Sequence, residues 1–351
     1  MATIGLKGVW GLEQLDRTGI ATWKLGALLM GGGALFGAML IPILGEVNPD
    51  SVLASLYAPR LVAILLVSVL FGAGFFSFLS LFLARTTEAD LRLLISIDDS
   101  VNESVKQLQP TPRILLLSIL FALMVDYSIF PVINAMTLDI TIAESFSAIH
   151  SSGVILNVIQ YPLELVNALA LGVVISILTT QSSSLIHAAR HMKIDLLQLS
   201  RYSAIANPFF RLIVVTVALS CLLPPMILFV DDPTFSVAWA FFALASTLGF
   251  IPIFLLYAYP ILILKNRISE EKQKELDALF RAMEGDDSAL ESSRIKRHAG
   301  TVSVADLLTH RMFIDSLWDL PIASHVQKLL LFGLLPPITW VLAAAIENVL
   351  Y

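Results

Sequence analysis

Seven stretches of this chain, roughly 25–44, 61–84, 114–136, 162–180, 212–230, 236–264 and 329–348, contain no lysine or arginine and consist largely of aliphatic and aromatic residues. About 20 apolar residues in a helix cross the ~30 Å hydrocarbon layer of a bilayer. An isolated strand would leave its backbone groups unpaired in lipid, so helix is the state expected for each run. The fold class predicted is therefore all-α: a polytopic membrane helix bundle of about seven transmembrane helices. The sixth run is longer than a span needs, which predicts tilt, a kink at Pro252, or extension past the membrane.

The basic residues sort to one side of these runs. Lys7, Arg17 and Lys24 precede the first. Arg85, Arg92, Lys106 and Arg113 lie between the second and third, and Arg190, Lys193, Arg201 and Arg211 between the fourth and fifth. Ten more fall in 265–328, while 137–161, the fifth loop and the C-terminal tail carry none. Arg60 alone breaks the alternation. The positive-inside rule then places the N-terminus in the cytoplasm and the C-terminus outside. The organisation expected is a cytoplasmic segment 1–24, a six-helix region 25–264 with cytoplasmic loops 85–113 and 181–211, a cytoplasmic helical segment 265–328, and a final span with a short outer tail, 329–351.

Composition agrees. Only 14% of the residues are charged and 57% are hydrophobic, against about 25% charged in an average soluble domain. A net charge of −6 argues against nucleic acid as a partner. The lone Cys221 excludes an internal disulfide framework and zinc-finger spacing. The first run is long enough to span and lacks a clear small-x-small cleavage site, so it is not expected to be a cleaved signal peptide.

The basic segments have helical pattern of their own. Leu94, Ile97, Val101, Val105 and Leu108 recur at helical spacing, predicting one amphipathic helix ended by Pro110 and Pro112. The 181–211 loop is expected to continue the fourth span as helix as far as Asn207-Pro208. Ser269 with Glu270 and Glu271 reads as a helix start, Leu276, Leu279, Phe280 and Met283 as its apolar stripe, and Gly285 as its stop. Ser303 and Asp306 open another helix, carrying Leu307, Leu308 and Ile314. These elements predict a helical cap under the bundle. The outward segment 137–161 is apolar enough to be either interfacial or re-entrant. Gly33 and Gly37 offer a close-packing spacing in the first span.

Asp126 is the sharpest candidate for chemistry. A carboxyl in mid-span costs roughly 2.5–3.5 kcal/mol on insertion scales, so it is expected to face the bundle interior. With Tyr127, Asn134 and Asn167 it forms a candidate ion or proton site; the competing reading is a hydrogen-bonded acid that holds two helices together. Glu164, Asp231, Asp232 and Glu347 are candidates for an outer vestibule, or ordinary interfacial acids. His187, His191 and Asp195 follow one another at four-residue spacing, which puts three ligand types on one helical face. Arg190 and Lys193 beside them would repel a cation, so a solvated face is the expectation and no metal or other cofactor is predicted. There is no P-loop, G-x-S-x-G element, dinucleotide turn or paired-aspartate protease pattern, and so no ground for an enzyme.

Trp318 and Pro321, then Pro336-Pro337-Ile338-Thr339-Trp340, then Ile346-Glu347, form the closing stretch. This segment resembles that of a group of uncharacterised bacterial polytopic inner-membrane proteins, which end in a Trp-Pro element, a Pro-x-x-Ser/Thr-Trp span and a Val/Ile-Glu pair. Here Asp319 and Leu320 separate Trp318 from Pro321. The resemblance implies the cytoplasmic membrane of a bacterium and carries no activity. Two functions are expected from the residues. One is a non-enzymatic anchor, scaffold or regulatory subunit that docks a protein partner, or a second copy, through its cytoplasmic helices or bundle face. The other is a channel or carrier for an ion or small solute, proton-coupled through Asp126.

Overall fold

The computed structural model describes the backbone of residues 3–47, 59–96, 98–138, 154–227, 233–291, 293 and 303–317, and most side chains in 3–36, 72–125, 165–215, 252–293 and 303–317. Among them the secondary structure is all helical. A short 3-10 turn, Ile4–Leu6, leads into α1 (Trp10–Arg17). Long helices follow: α2 (Thr22–Val47), α3 (Pro59–Ile95), α5 (Pro112–Leu138), α6 (Val154–His191), α7 (Ser203–Ile227) and α8 (Pro233–Met283). The short α4 (Val101–Lys106) joins α3 to α5, and α9 (Val304–Ser316) follows α8. Six of the seven apolar runs lie wholly or mainly in these long helices, and the seventh, 329–348, lies outside the described residues. Of the described residues, one stretch, Leu165–His191 in α6, is long and apolar enough to cross a membrane by length and composition.

The bundle is built around α3 and α6, which run in the same direction. Near one level Gly72 of α3 faces Asn167 of α6. At the other, just past the ends of both helices, the Lys193 N–H donates to Asp98 Oδ2 at 2.6 Å. That end is called the inner end below. Helix α2 packs antiparallel on α3, and small residues let the backbones approach. A Cβ on Gly74 would lie 2.5 Å from the Leu29 carbonyl oxygen, and one on Gly26 would strike the Phe78 ring. Gly172 does the same for α5 on α6, against the backbone of Ile119. Helix α8 runs parallel to α6, fixed by Ser182 Oγ donating to the Leu256 carbonyl and Arg267 donating to the Ala189 carbonyl in the last turn of α6. The main core gathers at the inner end, where Leu81, Leu83, Leu91, Leu185, Ile205 and Leu264 are fully buried.

Four expectations are corrected here. The 94–108 helix is two pieces: α3 ends at Ile95, and Asp98 turns the chain by accepting the Ser100 N–H before α4 begins. The 181–211 loop is not one helix. α6 stops at His191, a 3-10 segment Leu196–Tyr202 intervenes, and α7 starts at Ser203. Asp195 causes the break by capping Leu197 N with its carboxylate, while its own N–H donates to the Tyr202 hydroxyl. Ser269 does not start a helix, because α8 runs unbroken through it for 51 residues with Pro252 and Pro260 inside. Phe280 is half-exposed and lies off the buried line of Leu276, Leu279 and Met283. The stop at Gly285 is as expected: it takes φ +102°, which suits a residue without Cβ. Gly26 of α2 and Gly74 of α3 mark the close approach of these two helices.

Candidate functional site

The inner end is held by buried ionic clamps. Arg85, near the C-terminal end of α3, donates through Nε to Asp16 Oδ1 at 2.6 Å and also reaches the Asp16 and Ile20 carbonyls and Thr22 Oγ1. Asp16 accepts the Thr3 N–H as well. Burial alone would raise the Asp16 carboxyl, but the Thr3 N–H and the Arg85 guanidinium outweigh it and hold it below the usual range. One turn on, Glu88 accepts the Ile4 N–H and pairs with Arg92. These contacts strap residues 3–20 across the end of α3, with Leu6 fully buried in the core. Asp90 on the same helix receives Arg211 and Asn207 of α7. Asp98 accepts the Ser100 and Lys193 N–H groups, which overcome its partial burial and lower its pKa.

Beyond these clamps α8 continues past the end of α6. Arg267 is level with the end of α6, and α8 runs on to Met283, 16 residues or about 24 Å further at 1.5 Å per residue. Helix α9 lies antiparallel along this projection. Its N-terminus is closed by a capping box, Ser303 with Asp306, each side chain bonding the other's backbone N–H. Leu307 is buried against Leu279 and Ala282, and Ile314 is fully buried. Lys272 Nζ donates to the carbonyls of Asp315 and Leu317 at the far end of α9. Between them the buried carboxylate of Glu275 meets Ser293 Oγ at 2.7 Å and His310 Nε2 at 3.3 Å.

Helix α9 buries only one side. Val304, Leu308 and Met312, at i, i+4 and i+8, form an exposed apolar line on another side, and Met312 is 72% exposed. Ile314 and Leu307 pack as the sequence pattern predicts, whereas Leu308 turns outward onto this line.

The predicted site residues fare unequally. The side chains of Asp126, Tyr127, Asn134 and Glu164 lie outside the described residues, as do Asp231, Asp232 and Glu347. Asn167 is half-buried against Gly72, its Oδ1 without a hydrogen-bond partner among the described residues. His187 and His191 stack with ring centroids 4.3 Å apart. His187 Nδ1 is taken by Ser104 Oγ at 2.9 Å and His191 Nδ1 by the His187 carbonyl. Asp195 does not share their helical face, since α6 has ended before it. Among the described residues no group of three metal-ligating side chains converges.

Sequence reasoning missed the Asp16–Arg85 and Asp90–Arg211 clamps, and it missed the polar run Thr179-Thr180-Gln181-Ser182-Ser183-Ser184 in α6. The run was visible as six consecutive polar residues at the end of an apolar stretch. The clamps had no local signal, because their partners are 69 and 121 positions apart.

No family model, curated protein or solved structure matches this chain.

Proposed function

We propose that this chain is a multi-pass protein of the bacterial cytoplasmic membrane that docks a protein partner through its inner-end helices. The membrane part of the reading rests on inverted burial. On α5, Leu116, Leu117, Leu120, Phe121 and Met124 are exposed, while Ser80, Thr87, Ser176 and Gln181 are buried. A soluble protein rarely shows a contiguous apolar face of that kind. Trp23 and Lys24 at the start of α2 are placed as an interfacial pair would be, the ammonium 5.5 Å from the indole ring centre.

The docking part is carried by one observation, the exposed line Val304, Leu308 and Met312. It lies on a helix that packs along α8 beyond the end of α6, with Ile314 at its C-terminal end joined to the main core. Lipid is a poor occupant, because α9 is aligned with the axis of α8 beyond its apolar run rather than lying across it. An amphipathic helix of a partner fits the i, i+4, i+8 spacing. In this reading the protein is an anchor or regulatory subunit and performs no chemistry.

The test is co-purification in mild detergent followed by mass spectrometry, with and without the substitutions Leu308→Asp and Met312→Asp. A stoichiometric partner lost from the double variant, with the bundle still folded, is the expected result. A protein that runs alone, or a partner retained by the variant, overturns the docking role.

A further inference from the structure

The inner halves of α3 and α6 carry a belt of neutral polar side chains inside an apolar bundle. The contact of Gly72 with Asn167 fixes the relative level of two helices that run in the same direction. With equal rise per residue, Ser80 is level with residues 175–176 of α6, and Thr87 with residues 182–183. The α6 residues of this belt are therefore Ser176, Thr180, Gln181, Ser182 and Ser184, all buried.

Most of these groups are paired. Ser176 donates to the Val173 carbonyl and Thr180 to that of Ser176. Ser182 reaches the Leu256 carbonyl on α8, and Ser184 reaches that of Ser104 on α4. The Tyr257 hydroxyl of α8 lies 2.9 Å from Gln181 Oε1 and 3.2 Å from the Leu178 carbonyl. Three groups are not: Ser80 Oγ, Thr87 Oγ1 and Gln181 Nε2 find no partner among the described residues, although each residue is at least 99% buried. Asn167 Oδ1 is a fourth unpaired atom, toward the other end of the same helix pair.

Buried donors and acceptors that lack a protein partner are met in folded proteins by ordered water, which needs two to four polar neighbours. Dry hydroxyls and amides are tolerated still less where no solvent reaches from either side. The belt offers both kinds of neighbour, since Gln181 Nε2 presents only N–H donors and the hydroxyls present a donor and an acceptor. Its chemistry is uncharged. The ionic groups at this depth are engaged elsewhere, Arg85 with Asp16 and Glu88 with the Ile4 N–H and Arg92. An ion would find no counter-charge in the belt, and a neutral hydrogen-bonding molecule would.

We propose that the inner half of α6, where it packs on α3 and on α8, holds internal water: at Gln181 Nε2 beside Tyr257, and at Ser80 Oγ and Thr87 Oγ1 on the α3 side. This is independent of the docking role.

Radiolytic hydroxyl-radical footprinting of the whole protein in lipid nanodiscs tests it, because a bound water generates radicals within reach of its neighbours. Tyr257 and Tyr202 are both 1% exposed. The Tyr202 hydroxyl is fully engaged, donating to the Lys193 carbonyl and accepting the Asp195 N–H. The expected result is oxidation of Tyr257 about five-fold or more faster than of Tyr202, as for a residue beside ordered water. Gln181→Leu should bring Tyr257 down to the Tyr202 rate. Equal rates in the unmodified protein overturn the proposal, and that comparison needs no variant. A folded Gln181→Leu protein that keeps the fast rate overturns it too.

Discussion

Arg85 Nε donates to the carboxylate of Asp16 at 2.6 Å, across 69 residues of sequence, and this single contact closes the N-terminal strap onto the bundle. Truncating the arginine would leave a buried carboxylate with only one N–H donor. Arg85→Ala is therefore expected to cost about 3 kcal/mol, and Asp16→Asn less, because the amide still accepts a hydrogen bond. Thermal or chemical unfolding in detergent measures this. The double variant should lose less than the sum of the singles, since the two residues act as a pair.

The same strap predicts a pH dependence. The Asp16 carboxyl is held below its usual range in the folded chain, so ionisation stabilises the fold above the unfolded pKa, near 3.9. That contribution is lost as pH falls through the lower, folded value. Asp98 behaves in the same sense at the α3–α4 turn. Amide exchange at Ile4–Leu6 should stay slow at neutral pH and rise selectively in acid. Uniform exchange of the whole chain at the same pH would show that the strap has no separate transition.

Glycines in the helices should divide by what they face. A Cβ at Gly74 or Gly172 would meet backbone atoms 2.5 to 2.7 Å away, so Gly74→Ala and Gly172→Ala are expected to destabilise by about 1–3 kcal/mol through overpacking. Gly31 and Gly32 face open space. Alanine there should be neutral or gain up to about 1 kcal/mol from helix propensity. Four melting curves decide the matter.

Ser303→Ala removes one half of the capping box and leaves the first-turn N–H of Asp306 unpaired. Exchange at the first turn of α9 should quicken about five-fold, the loss expected for an N-cap. Leu307 and Ile314 should keep the rest of the helix in place. If exchange quickens equally along all of α9, the cap is nucleating the element rather than closing its end.

The apolar runs, the capping box at Ser303 and the stop at Gly285 were all legible in the chain, because each depends on neighbours within a few positions. The break at Asp98 and the end of α6 at His191 were not. Their hydrophobic spacing continues through the break, and the deciding contacts are the Lys193 N–H onto Asp98 and the Asp195 N–H onto the Tyr202 hydroxyl. Ser269 misled for the opposite reason: a good capping residue sits inside a helix that tertiary packing on α6, α7 and α9 keeps continuous. Of the candidate site, the α9 pattern was visible, but which of Leu307 and Leu308 points outward was fixed only by where α8 lies.

Helix α8 is one object with two environments. Its 51 residues measure about 76 Å end to end. Tyr257 holds one part to α6, while Lys272 and Glu275 hold α9 to another. With no loop between these anchor points, a torque applied at α9 has no slack segment in which to dissipate. Whatever grips the free end therefore also pulls on the side chains that pack the bundle interior.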